Sequence, residues 1–449
     1  MKDPHRGMLG AVGAVAALAM VLAACSSGGS SGGSGGGSGG GLKSSAPGIT
    51  PTQILIGSHQ PLTGPVAPGY SEISRASNAY FSYVNAHGGV YGRKIVYKYL
   101  DDAYNPNTTV TVVHQLIQQD NVYAIFNGLG TPTHLNVVQF INAAKVPDVF
   151  VASGCNCWND PSKYPDTFGW QLDYIREGKI LGSYVKQHFA GKKIGFLFQN
   201  DEFGQDGVKG LSYEIPKSQI VAQEPYNIAA PNLAQEVGTH VAKLKAAGAQ
   251  VVVSFSVPAV TALLRLTELT LKYNPQLVVS DVGSDPITLA GLLNAFAKKS
   301  GSFGSSLTEG IITDGYLPSL GDTGNSWITL FKSIHDKYIS SLPFDGNVLY
   351  GMSVGYTFVQ AMFKAGKNPT RQDLVNAING GLSPGVAVAP FAYGTNDHNG
   401  VTGAYIGVIK NGVLIKTGDV LTTDDSPTGA VSAYMTAQAP APANGIPPH

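Results

Sequence analysis

The chain has 449 residues, no net formal charge and only 13% charged residues, well under the ~25% usual for soluble domains. No basic stretch marks a nucleic-acid footprint, so that class of function is set aside. The length suits two or three domains, and 17 Phe with 21 Tyr supply apolar mass for large cores.

Residues 1–25 read as an export signal. Lys2 and Arg6 give a positive start, and Met8–Ala24 is an apolar run too short and too rich in Ala and Gly to read as a membrane span. The run ends Leu22-Ala23-Ala24-Cys25, which resembles the lipobox of bacterial lipoproteins. That resemblance implies cleavage before Cys25, a diacylglycerol on its thiol, and a body anchored on the extracytoplasmic face of the cell membrane. An uncleaved anchor or a plain secretory peptide would leave the body in the same disulfide-permissive space. Residues 26–50 are read as a linker. Ser26–Ser45 is almost all Gly and Ser and is expected to act as a tether spanning roughly 25 Å. Gly32–Gly36 fits the hydrolase elbow G-x-S-x-G by chance, with neither the strand nor the helix that motif needs.

From Thr52 the chain alternates β and α patterns. Ile54–Gly57 reads as a strand, followed by the loop Pro61–Pro65, a helix to about Asn85 and the helix-ending pair Gly88-Gly89. Lys94–Leu100 is a second strand, Asp101-Asp102 opens a loop, and Asn107–Gln119 reads as a helix with Asn107 as its cap. Val122–Phe126 is a buried-strand run broken by Asn127, Gly128 and Gly130. Thr131 then precedes Pro132, which suits a first helical turn. The hydroxyl of Thr131 and the N–H groups of Thr133 and His134 would form a small cradle for an acceptor group. The strand Val149–Val151 ends in Ala152-Ser153-Gly154, a second such rim. Two rims on neighbouring parallel strands make a ligand site at the carboxyl edge of a sheet. Taken alone, the same turns also occur as ordinary connections in any α/β protein.

A second run of similar size begins near Leu172. It holds the helix Asp173–Phe189, the strand Lys193–Phe198, the turn Gln199–Gly204, and the strands Val251–Phe255 and Leu277–Ser280. Gly310–Asp314 is a further strand, and three helices follow. Tyr405–Lys410 and Val413–Lys416 read as a hairpin about Asn411-Gly412. The Ala/Pro/Thr-rich stretch 421–449 is expected to be disordered. The alternation argues for an α/β fold with parallel, doubly wound sheets.

Pro61-Leu62-Thr63-Gly64-Pro65, Val84–Ile95 with its Asn85-Ala86-His87-Gly88-Gly89 core, and Asp101-Asp102 resemble the N-terminal signature of the branched-chain amino acid receptor family. These are type I periplasmic substrate-binding proteins of ABC importers. Phe168-Gly169-Trp170-Gln171 and Gln199–Gly204 fit one lipoprotein branch of it, and the resemblance runs from about Pro51 to Thr417. It implies two Rossmann-like lobes joined by three crossovers, near Gly169–Asp173, Gly315–Leu317 and Phe391–Gly394, closing on a ligand by hinge bending. The first lobe would comprise 51–170 and 316–391, and the second 171–315 and 392–420.

The resemblance also implies a site. Gly130 and Thr131 would offer a hydroxyl and N–H groups to a ligand carboxylate, with Ser153, Gly154 and Cys155 adding contacts from the next loop. Phe203 would close over the ligand, and Ser256 and Val257 would form another wall. Tyr70 is placed to reach the ligand or to pack its own loop. The acidic position that pairs an α-ammonium falls at Val282, with Asp281 adjacent. A buried site without a paired carboxylate does not readily accept an ammonium, so the expected ligand is a carboxylate or amide with an apolar or aromatic body, or a branched-chain amino acid-like molecule. The implied partner is an ABC permease. No cofactor or metal is expected. A ligand sensor acting with a membrane partner is the alternative on the same fold, and an exported α/β enzyme is a further one. No nucleophile–base set, metal motif or phosphate loop supports the enzyme.

With Cys25 lipidated, Cys155 and Cys157 are the remaining thiols, and an oxidising compartment favours their pairing. His59, near the edge of the first strand, is read as packing or surface. Asp201 and Glu202 are read as helix N-terminal charges, and Tyr350 as core.

Overall fold

A computed structural model of the chain describes residues 41–449. The signal segment, Cys25 and residues 26–40 of the linker lie outside the described residues. The folded body starts at Leu42, earlier than the expected boundary at residue 51. Lys43 N–H donates to Asn368 Oδ1 at 2.8 Å, and Ile49 is buried. Residues 43–49 therefore belong to the body, pinned by Arg93, whose guanidinium donates to the carbonyls of Lys43, Thr50 and Lys367.

The first lobe carries β1 (Gln53–Gln60), β2 (Lys94–Asp101), β3 (Ile125–Phe126), β4 (Asp148–Val151) and β5 (Thr167–Gly169). All pair in parallel, in the order β2-β1-β3-β4-β5. The sequence reading holds the first four and misses the three-residue β5. The core sits between this sheet and two helices, Ile73–Ala86 and Gly346–Ala365. Those helices touch closely because Gly351 lies against the Ile73 carbonyl, where a Cβ would clash, and Ser77 Oγ donates to the Gly351 carbonyl at 2.8 Å. The expected helix Asn107–Gln119 is instead Pro106–His114 followed by a wider turn to Gln119. Its cap is Asn105, which accepts from Asn107 and Thr108 N–H.

The second lobe holds β6 (Ile194–Gln199), β7 (Ile220–Tyr226), β8 (Val251–Phe255), β9 (Gln276–Val279) and β10 (Ile312–Gly315). It is completed by β11 (Gly403–Lys410), β12 (Val413–Thr422) and β13 (Ser432–Tyr434). The order is β13-β12-β11-β10-β9-β8-β6-β7, parallel from β7 to β10 and antiparallel beyond. Asn411 and Gly412 both take positive φ, 52° and 76°, as a two-residue hairpin turn of this hand requires. The chain passes between lobes after β5, after β10 and again before β11.

The tail departs from expectation. Instead of being disordered, it pairs β13 onto β12 in the second lobe and then crosses to the first. There Trp327 Nε1 donates to the Ala439 carbonyl at 2.8 Å, Tyr80 OH to Gly445 at 2.9 Å and Tyr83 OH to Asn444 at 2.7 Å. His449 stacks on Phe363 with ring centroids 4.0 Å apart. Backbone carbonyls met by aromatic donors order this stretch without an apolar run of its own. The result is a fourth connection between lobes.

Candidate functional site

The carboxyl ends of β1, β3 and β4 face those of β8, β9 and β10 across a cleft. Hydrogen bonds close its mouth. Tyr70 OH donates to the Val282 carbonyl at 2.7 Å, Gly346 N–H to Asp285 at 2.9 Å and Asn347 Nδ2 to Thr288 at 3.1 Å. Asn156 N–H reaches Asp206 at 2.9 Å on another side. Closure sets Asp285 beside Asp345 and Glu72, and burial among those carboxylates pushes Asp345 up to about 9.

Between the lobes lies a cavity of about 420 Å³, within the range of small-molecule sites. Seven of the sequence-predicted residues line it: Tyr70, Gly130, Thr131, Phe203, Val257, Asp281 and Val282. Gly130, with φ 106°, occupies the cap position of the short helix Thr131–Leu135. The cradle there differs from expectation in one group, since His134 N–H already donates to the Gly130 carbonyl at 3.1 Å. Phe203 divides its faces between cavity and core, its ring centroid 4.6 Å from that of Tyr174 and 5.9 Å from that of Phe255. Asp201 caps its helix, accepting from Phe203 and Gly204 N–H.

Four predicted residues stand behind the wall. Ser153 Oγ is 2.6 Å from Thr131 Oγ1 and also accepts from Cys155 N–H, so it orients the threonine. Gly154 presses on the Leu172 carbonyl of the first crossover, where no Cβ fits. Cys155 is buried, with its Cα 5.1 Å from that of Cys157 and the two sulfurs facing each other as a disulfide pair. Trp158, on the same loop, donates to the Ser153 carbonyl at 2.9 Å. Ser256 is held by Ser254 Oγ at 2.7 Å and Thr261 Oγ1 at 2.8 Å, pointing away from the cavity.

Sequence reasoning missed most of the aromatic wall. Tyr104, Tyr174, Tyr316, Tyr350 and Tyr405 all line the cavity. Tyr350, read as core, instead accepts a hydrogen bond from Asn127 Nδ2 at 3.0 Å and faces the site. Tyr104 follows Ala103 in a left-handed turn, φ 51° and 56°, fixed because Asp102 Oδ1 accepts its N–H at 2.9 Å.

That aspartate begins a buried relay beneath the first-lobe rim. Asp102 Oδ2 meets His59 Nδ1 at 2.8 Å, His59 Nε2 meets His134 Nδ1 at 2.9 Å, and His134 Nε2 meets Asp148 Oδ2 at 2.8 Å. All four side chains are fully buried or nearly so. His59 is thus a packed residue, as expected, but part of a polar chain. Burial lowers its affinity for a proton, and the Asp102 carboxylate opposes that.

The second-lobe wall is acidic. Asp281 N–H donates to both Glu177 Oε1 at 2.9 Å and Asp314 Oδ1 at 3.0 Å. Burial, then mutual repulsion, raises Glu177 and Asp281 well above the usual carboxylate range, and burial pushes Asp314 up to about 6. The Tyr316 hydroxyl opposes the rise at Asp281. Among the described residues, Lys332 is the basic side chain on the cavity lining. It is half-exposed and paired with Asp336 at 2.6 Å. The premise that the cavity lacks a carboxylate for an ammonium is therefore corrected: the second-lobe loop places Asp281 on the wall beside Val282.

A family model described as periplasmic binding protein matches residues 53–413. A Leu/Ile/Val-binding protein homologue of Brucella melitensis is 26% identical over 207 residues, 44% of this chain and 53% of that protein. The chain thus spans about half the length of the curated relatives it matches. Among solved structures, a branched-chain amino acid ABC transporter protein from Thermus thermophilus with bound valine superposes with TM-score 0.71. It is 20% identical and covers 83% of this chain and 97% of its own. A fatty acid ABC transporter substrate-binding protein from Thermomonospora curvata gives TM-score 0.71 at 20% identity, over 84% and 94% of the two chains. These likenesses carry the fold. The two parallel-sheet lobes, their crossovers and the match over most of the chain place it in the periplasmic binding protein family.

Proposed function

We propose that this chain is a lipid-anchored extracytoplasmic receptor that captures a small amine-bearing solute with an apolar body and delivers it to an ABC importer. The observation that carries this reading is the cavity itself, with Thr131, Tyr104 and Tyr350 on the first lobe facing the acidic wall at Asp281 on the second. Neutral donors at Thr131, Tyr104 and Tyr174 suit a carboxylate or carbonyl. Carboxyls without a cation among them suit an ammonium. The naming of the Brucella relative supports an amino-acid-like head. Lobe closure around the solute is the form the permease would recognise, with Cys25 as the lipid attachment.

Calorimetric titration of the purified receptor with L-leucine, L-isoleucine and L-valine, and with their deaminated acids, tests this. The amino compounds are expected to bind and the acids to bind more weakly. Equal binding of both sets removes the amine from the reading, and binding of neither removes the amino-acid-like head.

The same reading makes Cys155–Cys157 a disulfide that stiffens the loop behind Thr131. Alkylation of unfolded protein is expected to label neither thiol without reductant and both with it. Two labelled thiols before reduction would rule the bridge out.

A further inference from the structure

The cavity is larger on one side than the head groups require. Beyond Tyr316 and Tyr405 it continues along Ile287, Leu317, Leu320, Phe344, Val413 and Leu414. Leu317, Leu320, Phe344, Val413 and Leu414 are each half-buried and Ile287 is 41% exposed, so this side is lined by apolar surface not closed over by the protein's own core. The second crossover is held against β12 there, because Ser319 Oγ donates to the Leu414 carbonyl. The gallery is therefore walled by apolar side chains, with Asp285 beside Ile287 and Lys332 as the charged side chains near it. Contiguous exposed apolar surface inside a cleft marks a binding surface.

From this we infer that the solute is an amphiphile with an apolar tail longer than a leucine side chain, its polar head between Thr131 and Asp281 and its tail in the gallery. The inference rests on the receptor reading above, and goes beyond it by fixing the length of the body.

The test holds the head constant and varies the tail. L-leucine is compared with L-2-aminohexanoic, L-2-aminooctanoic and L-2-aminodecanoic acids, with a parallel series of straight-chain alkanamides. Affinity is expected to rise roughly three-fold per added methylene until the gallery is filled. Leu320→Trp and, separately, Leu414→Trp fill the gallery. Each is expected to erase the gain with length while leaving leucine binding unchanged.

Leucine binding with no dependence on tail length, or a loss in the Trp variants that is equal for every ligand, overturns the gallery and leaves the receptor reading intact. Length dependence in the amides alone keeps the gallery and removes the amine. No binding in either series removes both.

Discussion

Asp281→Asn is expected to weaken binding of an amino-bearing ligand by about 30-fold or more, the 2–5 kcal/mol scale of truncating one partner of a buried charge pair. The wild-type binding should also release a proton. Burial and the neighbouring Asp314 hold Asp281 above the usual carboxylate range, so below that raised value it enters binding protonated. An ammonium favours the ionised form and drives the proton off. Affinity therefore rises with pH through the raised Asp281 value and levels off above it, whereas the Asn variant is flat. Calorimetry in buffers of different ionisation enthalpy reads the released proton directly. A ligand whose affinity falls with rising pH instead carries no cation at this wall.

The empty receptor shows the same linkage from the other side. A carboxyl with a folded value above its unfolded value stabilises the fold fully at low pH and loses that contribution as pH rises through the folded value. Glu177, Asp281 and Asp314 all shift in that direction. Ligand-induced thermal stabilisation should consequently be larger at neutral pH than in mild acid.

The second large effect is in the relay. His134→Ala is expected to destabilise the protein by about 3–5 kcal/mol, because it strands a buried carboxylate at Asp148 and a buried ring nitrogen on His59. The 2.9 Å gap between His59 Nε2 and His134 Nδ1 holds one proton. Burial disfavours a proton on His59. A base whose folded value is lowered contributes stability that is present above the unfolded value of 6.5 and is lost as pH falls through the folded value. Urea unfolding across that range reads both effects. A His134→Ala midpoint equal to wild type would mean the relay contributes nothing.

The relay also ties the parts of the first-lobe rim together. Asp102 sets Tyr104 through its N–H, and His134 lies on the same short helix as Thr131. None of this was legible in the chain, because the four residues fall on four separate segments, where His59 reads as packing or surface, Asp102 as the opening of a loop and His134 as a backbone donor. The strands were legible as apolar runs, and Thr131 and Phe203 as polar or aromatic breaks beside them. The tyrosines at 104, 316, 350 and 405 were not, because an aromatic near a strand end or on a buried helix carries the same pattern whether it faces core or cavity. Asp281 and Val282 were both legible as candidates, but which of the two faces the cavity was not, since spacing alone does not orient side chains within a tight turn such as Asp281–Gly283. The tail was misread because composition registers its lack of apolar side chains and not the tyrosine and tryptophan donors waiting on the first lobe.

The course of that tail has a practical side. His449 rests against Tyr91 and Phe363, and the neighbouring Arg93 grips the Lys43 carbonyl. Lys43 and the last residues therefore share one corner of the first lobe. Fluorophores attached at Lys43 and His449 would ride on the same lobe and report almost no change when the cleft shuts. A sensor built from this receptor needs its second dye on the other lobe, for example at the exposed tip Asn411-Gly412, with the first left at His449.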